Sequence, residues 1–108
     1  MTPLPGEIWL AEIPFTDGSA SKIRPVLVLW LDMADVVVAA VTSAPARSPT
    51  DVILGGWQSE GLRVASTVRL SRLDCLEQIL LRRKLGSLSA DDARKVKEVW
   101  TSKVQLRF

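Results

Sequence analysis

The 108-residue sequence contains no histidine and one cysteine, Cys75. These absences remove most of the nucleophilic chemistry open to a small protein. Without histidine there is no Ser-His-Asp or Cys-His unit to activate a nucleophile. A zinc site of thiolate and imidazole ligands is excluded for the same reason. No internal disulfide can form, which fits a reducing, cytoplasmic compartment. The longest apolar runs, around residues 26–31 and 36–41, fall far short of the roughly 20 residues that span a bilayer, so no membrane partner is expected. The first seven residues, MTPLPGE, lack a basic stretch followed by an apolar one, and no signal peptide is expected. There is no glycine-rich phosphate loop ending in Lys-Ser/Thr and no dinucleotide fingerprint. The carboxylates are scattered. An enzyme built from this sequence is expected to use neither a protein nucleophile nor a cofactor.

What is present describes a folded domain. Hydrophobic residues make up 47% and charged residues 24%, ordinary values for a globular chain. The length suits one domain, residues 1–108. A core of this size gives a lone monomer modest stability, so a homodimer is expected. The net charge of +2 names no partner, but its distribution is uneven. Arg63, Arg69, Arg72, Arg82, Arg83 and Lys84 crowd one stretch that holds only Asp74 and Glu77 as acids. Such a stretch builds either a face for phosphates or a plain solvated surface.

Patterning predicts strands over residues 7–13, 24–31, 36–42, 51–54 and 66–73, with 78–85 open between strand and helical turn. Residues 36–42 are apolar without alternation, which predicts cover on both faces. Residues 14–23 and 44–50, rich in Pro, Ser, Asp and Gly, read as loops. Pro25 fits the second position of its strand, where a missing N–H is tolerated. Ser89 followed by Asp92 resembles a capping box, and Ala93, Val96, Val99 and Trp100 follow at helical spacing. The sum is a mainly β protein: a small, strongly bent antiparallel sheet or partial barrel of five to six strands, closed by a C-terminal helix.

Ordered motifs then carry a resemblance. GEIWLAEIPFTDG (6–18), KIRPVLVL (22–29), VVAAVTS (37–43), GLRVASTVRL (61–70) and LGSLS before the terminal helix occur in sequence. Together they resemble the MazF/PemK family of toxins from bacterial toxin–antitoxin pairs, over nearly the whole chain. The resemblance implies an SH3-like barrel, a homodimer, an antitoxin partner and metal-independent cleavage of single-stranded RNA. In that chemistry the RNA's 2′-hydroxyl attacks the adjacent phosphate and leaves a 2′,3′-cyclic phosphate. The substrate brings its own nucleophile, so the missing histidine is no obstacle; the protein aligns the attack and stabilises charge on the phosphorane.

By the same resemblance, Arg24 is the arginine of the Arg-Pro step, Thr42 the threonine after the third strand, and Arg69 a second arginine acting as general acid or phosphate clamp. These three are the candidate catalytic residues. Ser19, Ala20 and Ser21 stand where many members carry an acid, and Ser71 stands where some carry aspartate. No general base is therefore evident, and Asp17 and Glu12 are the substitutes within reach. Candidate RNA contacts are Ser19, Ser21 and Lys22 in a mobile loop, Ser43 beside Thr42, and Phe15 and Trp57 as base-stacking aromatics. Trp9, Trp30 and Trp100 sit in patterned elements and read as core. Alternation in residues 66–70 aims Arg69 away from the core. Two other readings stay open: an RNA- or protein-binding module of the same fold that has lost catalysis, and a gyrase-directed toxin.

Overall fold

Alternation along short apolar segments draws six strands into one antiparallel sheet in the computed structural model, which describes residues 2–108. The strands are β1 (Glu7–Pro14), β2 (Ser21–Asp32), β3 (Asp35–Thr42), β4 (Asp51–Ile53), β5 (Thr67–Glu77) and β6 (Leu81–Ser87). Their spatial order is β4-β5-β3-β2-β1-β6. Helix α1 (Ala90–Lys103) ends the sequence of elements. The undecided stretch 78–85 resolves into both alternatives: one 3-10 turn at Gln78–Leu80, then β6.

Both faces of the sheet are covered, as the unbroken apolar run in β3 implies. Ile8, Leu27, Ala39, Val41, Val68 and Leu70 pack on one face with Val96 of α1. Trp9, Ala11, Val26, Val28, Val36 and Val38 pack on the other. Neighbours in sequence go to opposite faces, as the pleat requires. Full burial of each valine, leucine or isoleucine among them contributes about 1.5–3 kcal/mol.

The sheet bends until material near its two edges meets. Gly61 has φ +89, and a β-carbon there would lie 2.2 Å from the Leu85 carbonyl oxygen. Across the contact, a β-carbon on Gly86 would lie 2.4 Å from the Glu60 carbonyl oxygen. Only glycine permits backbones this close, so these two residues let the segment after β4 dock on β6.

Helix α1 is fixed to the same segment. Ser89 caps it by accepting the Asp92 N–H at 3.2 Å. The return half of the expected box is absent: the Ser89 N–H donates to Glu60 Oε2 at 2.7 Å. The Asp92 carboxylate instead accepts the N–H groups of Gly55 and Gly56 at 3.1 and 2.9 Å. Glu60 and Asp92 are both buried, and their carboxylates crowd the same side of Gly56. Burial, reinforced by the Asp92 charge, pushes Glu60 up. Burial pushes Asp92 up as well, but a hydrogen bond from Glu60, the Gly56 N–H, Lys95 and the Gly55 N–H outweigh it and hold Asp92 at about 2.

Several boundaries and burials differ from the sequence expectation. β2 begins at Ser21, so residues 21–23 are strand rather than loop, and Pro25 is its fifth residue. β5 runs on to Glu77. Trp30 is 43% exposed instead of core, edge-on to Trp100 with ring centroids 6.0 Å apart. Among the described residues no helix is long and apolar enough to cross a membrane.

Candidate functional site

The parting of β2 from β3 opens the site. Their ladder ends at Val26–Ala40, while β1 stays paired to β2 through Pro25, Arg24 and on to Ser21. Pro25 has no N–H to extend the ladder toward β3. Arg24 lies two residues before Val26, and Thr42 two residues after Ala40. Continuing the alternation puts both on the face of Val26 and Val38. Ala40 pairs on its other side with Arg69, and Arg69 pairs with Asp51 of β4. Thr42 and Arg69 are diagonal neighbours on one face of β3 and β5, about 7–8 Å apart, and Arg24 joins them across the parting by lining the same groove.

Two grooves meet there. The first, about 300 Å³, is lined by Lys22, Arg24, Thr42, Arg47, Arg69, Arg72 and Asp74 among others. The second, about 410 Å³, is lined by Arg24, Thr42, Ser43, Arg63, Ser66 and Arg83, with Leu10, Leu62, Val64 and Leu85 as apolar wall. Both share Arg24, Pro25, Val41 and Thr42. A break in the β3–β5 ladder helps build the first. Its register steps from Leu73 to Arg69 between Ala39 and Ala40, leaving residues 70–72 outside the ladder.

Charge in these grooves is one-sided. Five cations line the first and three the second, Arg24 belonging to both, while Asp74 is the single lining carboxylate. Among the described residues, only Arg69 of these seven cations makes an ion pair, with Asp51 at 3.7 Å. The basic stretch noted in the sequence is thereby divided. Arg63, Arg69, Arg72 and Arg83 reach the grooves. Arg82 and Lys84 pair with Glu12 and Glu7 at 2.7 and 2.9 Å. Clustered cations over low-dielectric walls focus field on an anionic ligand.

The sequence-derived residues divide as well. Arg24, Thr42, Arg69, Lys22 and Ser43 line the grooves. The Thr42 hydroxyl oxygen accepts the Ala44 N–H at 3.1 Å, leaving its own O–H free to donate. Arg69 lies on the face opposite Val68 and Leu70, yet it is only 8% exposed. Ser19, Ser21, Phe15 and Trp57 line neither groove. The Ser19 hydroxyl donates to Asp17 at 2.7 Å, and the Ser21 hydroxyl to Glu12 at 3.0 Å. Phe15 is 40% exposed, with Lys22 Nζ 5.5 Å from its ring centroid. Trp57 is half-buried against the core.

Residues 15–20, within the loop expected to be mobile, form a hydrogen-bonded turn. Phe15 N–H donates to the Ala20 carbonyl at 2.8 Å, and Gly18 N–H to that of Phe15 at 3.0 Å, with Gly18 at φ +73. The substitute bases are engaged too. Hydrogen bonds from Arg82 and Ser21 hold Glu12 below the ordinary carboxylate range. Ser19 does the same for Asp17 through its N–H and hydroxyl. Sequence reasoning missed Arg47 and Asp51, which lie in or beside a loop with no pattern of their own. It also gave no site role to Asp74. Among the described residues no group of three His, Cys, Asp or Glu side chains gathers as a metal site.

Known proteins share this architecture. A family model described as PemK-like, MazF-like toxin of type II toxin–antitoxin system matches residues 4–101. Comparison by sequence with curated proteins gives no match. An endoribonuclease from a Mycobacterial species, solved in complex with its cognate antitoxin, is 20% identical over 99% of each chain, with a TM-score of 0.79. The Mycobacterium tuberculosis toxin MazF-mt6 is 24% identical over 94% of this chain and 99% of that one, at 0.74. A MazE–MazF structure from Deinococcus radiodurans is 24% identical over 99% of each chain, at 0.70. At these identities the structural likeness speaks for the fold, and the family match, spanning all but the two ends, supplies the rest: the chain belongs to the PemK-like, MazF-like toxins of type II toxin–antitoxin systems.

Proposed function

We propose that the chain is an endoribonuclease toxin that cleaves single-stranded RNA at the junction of the two grooves, using the RNA's own 2′-hydroxyl as nucleophile. One observation carries the reading: seven cations and one carboxylate line two grooves that meet at Arg24 and Thr42. A strand laid across Arg24 leaves its neighbouring nucleotides on either side. Lys22, Arg47 and Arg72 suit phosphates. The apolar wall of Leu62, Val64 and Leu85, flanked by Arg63 and Arg83, suits an unpaired base.

These placements support the following reaction. Asp74, the carboxylate that lines the groove, takes the 2′-hydroxyl proton. The 2′-oxygen attacks phosphorus, and Arg24 and Arg69 hold the non-bridging oxygens as charge develops. The Thr42 O–H donates to one of them. The bond to the 5′-oxygen breaks, that oxygen takes a proton from water, Asp74 returns its proton to the hydroxide left behind, and a 2′,3′-cyclic phosphate remains. Hydrogen bonds stabilise the charged forms of Glu12 and Asp17, which weakens both as bases.

A cognate antitoxin and a homodimer complete the proposal. Antitoxin complexes among the similar structures support the first. An apolar groove of about 440 Å³ between β2 and α1, edged by exposed Trp30, supports an interaction surface. Incubating the purified chain with a long RNA and a chelator tests the activity. Cuts leaving cyclic phosphate ends support it. Binding without cuts favours a non-catalytic module, and intact RNA with trapped gyrase–DNA complexes favours a gyrase poison.

A further inference from the structure

Asp51 has no part in the reaction above, yet its surroundings tie it to the site. Its side chain is 1% exposed, and it faces the Arg69 guanidinium, itself 10% exposed, at 3.7 Å. The same oxygen, Oδ2, accepts the backbone N–H of Arg47 at 2.9 Å. The other oxygen, Oδ1, is buried with no hydrogen-bond partner among the described residues. One carboxylate thus fixes two of the cations lining the first groove, Arg69 by its head and Arg47 by its backbone.

Stability alone is a weak reason for this arrangement. Desolvating an ion pair costs much of what its attraction returns, and apolar residues of the same shape do as well or better. A buried acceptor without a partner adds a further cost. Function gives a reason. A free arginine loses rotamer freedom when it grips a phosphate, whereas one already held against a buried charge does not. At 3.7 Å the contact is an ion pair beyond hydrogen-bond range, so Asp51 takes up none of the guanidinium N–H groups.

We infer that Asp51 is a positioning residue, holding Arg69 and the 43–50 loop in the geometry that meets the scissile phosphate. It acts through Arg69 and does not touch RNA. The inference rests on the proposed cleavage reaction.

The test is kcat and KM on a defined single-stranded RNA for four chains: wild type, Asp51→Asn, Arg69→Ala and the double variant. Asp51→Asn keeps the shape and removes the charge. Its kcat falls about 100-fold, with KM changed less than about threefold, as expected for a misplaced catalytic group. In the Arg69→Ala background the same substitution brings no further loss. Equal losses in both backgrounds, or an undiminished kcat for Asp51→Asn, overturn the inference while leaving the nuclease intact. No cleavage by the wild-type chain overturns both. Should Asp51→Asn fail to fold, Asp51→Glu keeps the charge and displaces Arg69 by one methylene. A folded Asp51→Glu chain with wild-type kcat is again decisive against the inference.

Discussion

Arg24 is exposed because Pro25 ends the ladder between β2 and β3, and its place in the site follows from that local fact. An exposed side chain without an ion pair contributes little to folding. Arg24→Ala is therefore expected to keep the wild-type melting temperature and lose about 100- to 1,000-fold in cleavage rate, the cost of removing one preorganised donor. Rates from gel-resolved time courses, read beside thermal melts, check both halves. Asp74→Asn removes the proposed base at constant shape. Its expected loss is about 100- to 10,000-fold. A Glu12→Gln control retains activity if Asp74 is the base, and a reversal of the two results moves that role to Glu12. Arg24 and Thr42 drew attention in the sequence through the Arg-Pro and Val-Thr-Ser motifs that hold them. Asp51 was not, because its partner lies across the β4–β5 pairing and only the fold brings the two together.

At the scale of elements, the strands were readable wherever side chains alternate or, as in β3, run apolar without a break. The early start of β2 was not, because Ser21, Lys22 and Ile23 lack an apolar pattern and are held by pairing to β1. The exposure of Trp30 was hidden too. Alternation tells which face a residue takes, not whether another element covers it. Helix α1 offers the sharper test. Ser89→Ala removes the acceptor for the Asp92 N–H and should cost about 1 kcal/mol, measured by urea unfolding. The Glu60–Asp92 pair predicts a pH dependence of stability. Asp92 is held at about 2, below its ordinary 3.8, so its contribution is present above 3.8 and lost as pH falls toward 2. Glu60 is raised above its ordinary 4.5, so its contribution is full below 4.5 and lost as pH rises through its folded value. Glu60→Gln keeps the shape and an acceptor for the Ser89 N–H and removes that ionisation. Melting temperature should then decline less than that of the wild type as pH rises above 4.5. Parallel declines would disprove the account of the pair.

For the molecule as a whole, charge placement matters more than the net +2. Seven cations gathered in two grooves predict RNA binding that weakens steeply with salt. For single strands, each neutralised phosphate adds about −0.7 to the slope of log K against log salt. Replacing Arg63 and Arg83 together by alanine should reduce the slope by about 1.4 if each meets one phosphate. Replacing Arg94 and Lys103 on α1, neither of which lines a groove, should leave it unchanged. Fluorescence anisotropy with a 2′-deoxy analogue at the cleavage position gives both slopes without turnover. The sequence stretch from Arg63 to Lys84 showed that positive charge was concentrated. It did not separate the arginines that reach the grooves from Arg82 and Lys84, which neutralise carboxylates on β1.

The central claim is that the grooves meeting at Arg24 catalyse 2′-hydroxyl attack on RNA. Its most direct measurement is the mass of the fragments released from a defined single-stranded RNA, in chelator, by the wild-type chain and by Arg24→Ala. The account predicts fragments ending in 2′,3′-cyclic phosphate from the wild type and intact RNA from the variant. Fragments ending in a 3′-hydroxyl, or equal cleavage by both chains, would contradict it.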